Sequence, residues 1–311
     1  MFADDTSFLI SGKNLNDIVL KLNKELKKIC TWFRANDMSL NPEKTKFIIF
    51  NKQEKSINWE ELNIYLDFNN NNENKTDLKK QLDFINTKSK IPAIKFLGVY
   101  IDPLLNFKYH INFIQKKIKT SVYMLNCAKK FLPLHSLKNL YYSFVHSHLS
   151  YCNAVWSIGL ESSINNLVKS QKRCIRLITN SQYRAHTVPL FKKLDILPLY
   201  EICLISKLNI MHDFINEKLP ISFQGMWKRN FEIRHESDRI LRNHNDFYIP
   251  MAKFKCIERF PLYDYPKLWN EHCKNKNFEP LTKPQFKKKI KKMFMDKIEI
   301  DCHRPRCPEC N

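Results

Sequence analysis

Residues 94–103, IKFLGVYIDP, divide the sequence into two stretches of different texture. The run from Ile94 to Ile101 is rich in β-branched and aromatic residues and ends at Asp102-Pro103, a pair that turns a chain. It reads as a strand that closes an N-terminal domain. Beyond it, apolar residues recur every three or four positions, the spacing of one face of a helix. Phe107, Ile111, Ile114, Ile118, Val122 and Leu125 form a first stripe, and Leu137, Leu140, Tyr141, Phe144 and Val145 form a second after Pro133. Ile164, Leu167, Val168, Gln171, Ile175 and Ile178 form a third. A further helix is expected from about Glu201 to Phe214, ahead of Pro220, and a lysine-dense one from Gln285 to Ile298. Residues 225–280 mix too many signals for any assignment.

Upstream of residue 94 the elements are shorter. MFADDTSFLI, residues 1–10, sets two adjacent acids between apolar runs, which predicts a β-turn-β hairpin with Asp4 and Asp5 at its tip. From Asn14, a candidate N-cap, the residues Leu15, Ile18, Val19, Leu22, Leu26, Ile29 and Phe33 define an amphipathic helix. KFIIF, from Lys46 to Phe50, reads as a short strand. Residues 51–92 lose periodicity and contain NNNNEN at 69–74, a polar run with no means of packing a core, so a surface insertion is expected there.

Composition narrows the function classes. The chain has 311 residues, with 52 Lys and Arg against 31 Asp and Glu, a formal charge of +21. An excess of that size points to a polyanionic partner, nucleic acid first and acidic membrane second. Only 4 glycines occur, which argues against Gly-rich phosphate loops and glycine-turned all-β folds. The ten cysteines are mostly scattered singly and the first residues form no basic-then-apolar leader, the pattern of reduced thiols in the cytoplasm or nucleus. Residues 139–160 lack Asp, Glu, Lys and Arg, yet His146, Ser147, His148, Ser150 and Asn153 interrupt them, so a buried helix and turn are expected rather than a membrane span.

The order of several short motifs carries more information than any one of them. Phe2-Ala3-Asp4-Asp5 is followed by a helix, then by Trp32-Phe33-Arg34-Ala35-Asn36, then by Leu40-Asn41-Pro42-Glu43-Lys44-Thr45-Lys46, then by Phe96-Leu97-Gly98-Val99 with Asp102. This succession resembles the acidic hairpin and the later palm motifs of reverse transcriptases from non-LTR retrotransposons of the jockey type. His110-Ile111, Leu149-Ser150-Tyr151, Val155-Trp156 and Gln171-Lys172-Arg173 are spaced as in the segment that follows the palm in such elements. The resemblance implies an α+β chain, mainly α, with a partial palm over 1–105, a helical thumb over 106–180 and a basic, mainly helical C-terminal region over 181–311.

It also implies roles for single residues. Polymerases transfer a phosphoryl group between two divalent metals, and Mg²⁺ prefers hard oxygen ligands. In this picture Asp4 is the inner-sphere ligand, Asp5 supports it, Lys44 approaches the leaving pyrophosphate, and Phe96, Leu97 and Gly98 form the primer grip. The partners implied are an RNA template with a DNA primer, or an RNA–DNA hybrid. The family also uses a third carboxylate from an earlier palm strand and a fingers region, and the resemblance assigns no residue of this chain to either. A C-terminal fragment of the polymerase, inactive alone, is therefore expected, with a non-catalytic nucleic-acid-binding remnant as the alternative.

Two basic faces are candidates for phosphate contact: Lys169, Lys172, Arg173 and Arg176 on one helix, and Lys287, Lys288, Lys289, Lys291 and Lys292 on another. Each can equally be a solvated face. The tail contains Cys302, His303, Cys307 and Cys310, but structural zinc needs four ligands in a tetrahedral arrangement. Cys302 and His303 are adjacent, which makes joint ligation awkward, so free thiols are expected over a Zn²⁺ site built on Cys302, Cys307 and Cys310.

Overall fold

The computed structural model describes residues 6–38, 40–50, 62, 64–67, 79–81, 83–85, 92–233, 244–254, 257–274 and 278–298. The chain is mainly helical, and among the described residues its short strands lie between Lys46 and Ile101. It divides into two compact units, Met1–Leu105 and Asn106–Asn311.

In the first unit, helix α1 (Leu15–Ala35) begins where Asn14 accepts a hydrogen bond from the Asn16 N–H at 3.2 Å, an N-cap that satisfies one of the orphan donors of the first turn. Its apolar stripe packs on a strand. Strand β1 (Lys46–Ile48) pairs in parallel with β4 (Asp83–Ile85), while β2 (Tyr65–Asp67) pairs antiparallel with β3 (Lys79–Gln81). Leu26 and Cys30 from the helix meet Ile64 and Leu66 in a small core, with Val19, Leu22, Ile29, Leu40 and Phe47 partly buried around it. The Tyr65 N–H donates to the Asn23 side chain at 3.3 Å, tying β2 to α1.

Three expectations change in this unit. Residues 1–5 lie outside the described residues, and residues 6–10 carry no strand. Part of the stretch expected to be a surface insertion supplies core, since Leu62, Ile64 and Leu66 are buried. The polar run at 69–74 lies outside the described residues. Finally, Ile94 to Ile101 is a hairpin and not one strand. Strand β5 (Ile94–Phe96) folds back on β6 (Val99–Ile101) with Phe96 opposite Val99, leaving Leu97 and Gly98 as a two-residue turn. Both have positive φ, 44° and 84°, as the turn type that matches strand twist requires.

The described residues of the second unit are mainly helical. Helix α2 (Lys108–Ala128) buries Ile111, Ile114, Ile118, Val122 and Leu125, and α6 (Glu161–Ile178) buries Ile164, Leu167, Val168, Ile175 and Ile178. The two pack along each other. Between them in sequence, α3 (Leu134–Tyr141) runs through a π-helical turn at Tyr142–His146 into α4 (Ser147–Ser150). The buried positions Leu137, Tyr141, Val145 and Leu149 recur every four residues. Positions four apart drift around a regular α-helix, and the wider π turn keeps them on one side. Ser121, buried in α2, donates to the Phe144 carbonyl of that turn at 2.9 Å.

Short α5 (Asn153–Trp156) and α7 (Val188–Leu194) lead to α8 (Leu199–Ile215), which packs against α4, α5 and α6 and against two later helices, Pro261–His272 and Lys283–Lys297. Residues 225–280 prove to hold α9 (Asn230–Ile233) and α10 (Pro261–His272). Helix α11 (Lys283–Lys297) opens with a capping box, in which Thr282 and Gln285 satisfy each other's backbone N–H groups. Phe286 of α11 stacks on His212 of α8, with centroids 4.4 Å apart, and on Trp269 of α10 at 5.9 Å. The Tyr265 hydroxyl donates to the Ala154 carbonyl at 3.0 Å, and the Trp227 indole donates to the Pro261 carbonyl at 3.0 Å. Aromatic side chains thus join residues far apart in sequence into one core.

A polar group sits at the heart of this unit. Gln171, on the otherwise apolar stripe of α6, is fully buried. Its Nε2 donates to the Tyr141 hydroxyl at 2.9 Å and to the Leu197 carbonyl at 3.0 Å, while its Oε1 accepts from the Leu199 N–H at 2.9 Å. One side chain therefore ties α3, α6 and the start of α8.

Candidate nucleic-acid interface

Asp4 and Asp5, and the tail cysteines Cys302, Cys307 and Cys310, lie outside the described residues. Among the described residues, no group of three or more His, Cys, Asp or Glu can hold a metal ion. The remaining candidates divide between the two units.

Lys44 is exposed on a turn that organises itself. The Asn41 side chain accepts from the Glu43 and Lys44 N–H groups at 3.0 and 3.2 Å, and the Asn41 carbonyl accepts from the Thr45 N–H at 3.1 Å and the Thr45 hydroxyl at 2.8 Å. The Asn41-Pro42-Glu43-Lys44 sequence thus fixes the backbone under Lys44. Phe96, Leu97 and Gly98 form the tip of the β5–β6 hairpin, with Phe96 exposed. At Gly98 the positive φ is easily adopted without a side chain, whereas Leu97 occupies the same region at a steric cost.

In the second unit the two basic faces are only partly available. On α6, Lys169 and Arg173 are exposed, but the Arg176 guanidinium donates through Nε to the Ala185 carbonyl at 2.8 Å, and Lys172 is half-buried. On α11, Lys287, Lys288 and Lys292 are exposed, Lys289 lies 4.8 Å over the Phe278 ring, and Lys291 forms an ion pair with Asp195 at 2.5 Å. Arg176 and Lys291 therefore serve internal contacts first.

A more uniform basic face was not visible in the two lysine clusters. From Pro103 to Leu160 the chain contains no Asp or Glu and seven lysines. Helix α2 lies within this stretch, and its outward side is basic. The signal was the absence of acids, which a search for clustered Lys and Arg passes over. Nearby histidines stay neutral: burial pushes the His110 imidazole down to about 4, and burial with the Lys117 charge lowers His148.

No family model matches the chain, and no solved structure matches it. The chain is similar to a protein of Drosophila melanogaster described as a probable RNA-directed DNA polymerase from transposon X-element, 24% identical over 112 residues. That match covers 35% of this chain and 12% of the fly protein, so the chain spans a small part of its relative's length. It supports a relationship to the reverse transcriptases of retrotransposons. Among the described residues no helix is long and apolar enough to cross a membrane.

Proposed function

We propose that this chain is a portion of a retrotransposon RNA-directed DNA polymerase that grips nucleic acid and does not polymerise by itself. The observation that carries the reading is the similarity to the X-element polymerase, which agrees with the motif order from Phe2-Ala3-Asp4-Asp5 to Phe96-Leu97-Gly98-Val99. The charge of +21 supports a polyanionic partner. In this reading Met1–Leu105 corresponds to part of a palm, with the β5–β6 hairpin as primer grip and Lys44 near the departing pyrophosphate. The helices from α2 to α6 correspond to a thumb, and the helices beyond extend the basic surface. Asp4 and Asp5 would contribute oxygen ligands for Mg²⁺, which supplies charge neutralisation at the phosphates when bound. Because no residue of the chain is assigned to the third carboxylate, binding is expected to outlast catalysis.

The test uses the full chain with an RNA template annealed to a DNA primer. Binding should weaken with salt, with a log-log slope of about −0.7 to −0.9 per phosphate contacted. Primer extension with Mg²⁺ should not exceed that of the Asp4→Ala, Asp5→Ala variant. Absence of binding at low salt would overturn the reading, and template-dependent incorporation above the double variant would overturn its non-catalytic part.

A further inference from the structure

Helix α2 has one buried face, against α6, and one face that is exposed among the described residues. Along the open face, Lys108, Lys116, Lys119 and Lys130 are exposed at intervals that keep them on one side of the helix and its C-terminal turn. Asn112 and Asn126 are exposed at the intervening helical spacings, and so is Tyr123. With about 1.5 Å of rise per residue, the row from Lys108 to Lys130 is on the order of 33 Å long. None of its four lysines has an ion-pair partner among the described residues, in keeping with the acid-free sequence from Pro103 to Leu160. Tyr123 is 70% exposed in the middle of this row, and Phe131, at its end, is 83% exposed.

Other large apolar side chains are exposed on this chain, Tyr183 and Met251 among them, and what sets Tyr123 and Phe131 apart is their place along a row of lysines. Folding gains nothing from either ring at these positions. A row of cations interrupted by exposed rings matches what a flexible single strand offers: phosphates for the ammonium groups and unstacked bases for the rings. A duplex offers phosphates but keeps its bases stacked on one another. Lysine makes no fork-like contact that would read a base edge, so grip without sequence preference follows.

We infer that the outward face of α2, ending at Phe131, is a binding surface for single-stranded nucleic acid on which bases stack at Tyr123 and Phe131. The inference rests on the reading proposed above and narrows it to one ligand class and one face. The experiment measures anisotropy of a fluorescent oligo-dT and oligo-U of about 20 nucleotides with the full chain, beside a duplex of equal length and phosphatidylserine vesicles. All substitutions are at exposed positions. Replacing Tyr123 and Phe131 by Leu is expected to weaken single-strand binding about five-fold or more with the salt slope unchanged, while Tyr123→Phe retains it. Changing Lys116, Lys119 and Lys130 together to Gln is expected to flatten the slope by about 2. Duplex binding as tight as single-strand binding, or full affinity in the Tyr123→Leu, Phe131→Leu variant, would overturn the inference. Vesicle binding without oligonucleotide binding would overturn it in favour of a membrane surface. If the wild-type chain binds no nucleic acid, the broader reading fails too; if it binds but the α2 variants match it, only this inference fails.

Discussion

Gln171 shows how one polar residue sets the geometry of an apolar helix pair. Its amide satisfies the Tyr141 hydroxyl, the Leu197 carbonyl and the Leu199 N–H, all buried. A buried group that loses its partner costs about 1–3 kcal/mol, more than a typical hydrogen bond contributes when both partners remain. Gln171→Leu keeps the volume and strands three partners at once. It is expected to lower unfolding stability by about 2–4 kcal/mol, read as a shifted urea midpoint. Tyr141→Phe, which removes the partner instead, should cost about 1 kcal/mol. An unshifted midpoint in Gln171→Leu would show that the helices are positioned by packing alone. In the sequence Gln171 looked like one member of an apolar stripe, and nothing local revealed that it faces backbone groups from a later segment. Buried cysteines follow the same logic of environment. Desolvation pushes the Cys174 and Cys203 thiols up to about 12, so neither presents a thiolate at neutral pH.

At the scale of elements, the long helices were legible because one buried face imposes a period on the sequence. Every member of the stripe from Phe107 to Leu125 is buried, as the spacing predicted. What was not legible has definable causes. The β5–β6 hairpin turns on Leu97-Gly98, which lacks the Asn or Asp that normally announces such a turn. Strand β2 was hidden because its buried Leu66, with Leu62 and Ile64 just before it, lies beside a polar run that dominates any window of composition. Helix α10 was hidden because Pro261 and Pro266 read as breaks, although the first proline stands at a helix start, where its missing N–H is harmless, and α9 was hidden because four residues are too few to show a helical period. The α2 face escaped because its cations are spaced and not clustered. The π turn of Tyr142–His146 supplies a test at this scale. Ser121 shares its hydroxyl proton between the Lys117 carbonyl at 3.1 Å and the Phe144 carbonyl at 2.9 Å. Ser121→Ala should cost about 1 kcal/mol, while Ser121→Thr keeps the hydroxyl and should restore part of it. Equal stability of Ser121→Ala and wild type in urea would mean that the turn holds without this bond.

For the molecule as a whole, the two units differ in how much core they own. Met1–Leu105 has a described core centred on Leu26, Cys30, Ile64 and Leu66. Asn106–Asn311 holds a far larger one, running from Ala154 through Trp227, Trp269 and Phe286 to Ile298. Local opening costs least where few apolar contacts are broken. Amides in the middle of α6 and α8 are therefore expected to exchange with deuterium at least ten-fold more slowly than those in the middle of α1. Comparable rates would show that the first unit is as stable as the second. The layout of the larger core also dictates which genetic lesions it survives. Every partner of Gln171 lies between Tyr141 and Leu199, and α8 is completed by Phe286, which stacks on His212 from near the end of the chain. A deletion of codons 1–105 leaves these contacts intact. A premature stop after codon 180 removes Leu197 and Leu199 and leaves Gln171 with Tyr141 alone of its three partners, and one before codon 283 removes the Phe286 ring from His212 of α8. Lesions on the two sides of the helical unit are thus unequal: loss before codon 105 spares these contacts, and loss after codon 180 breaks them.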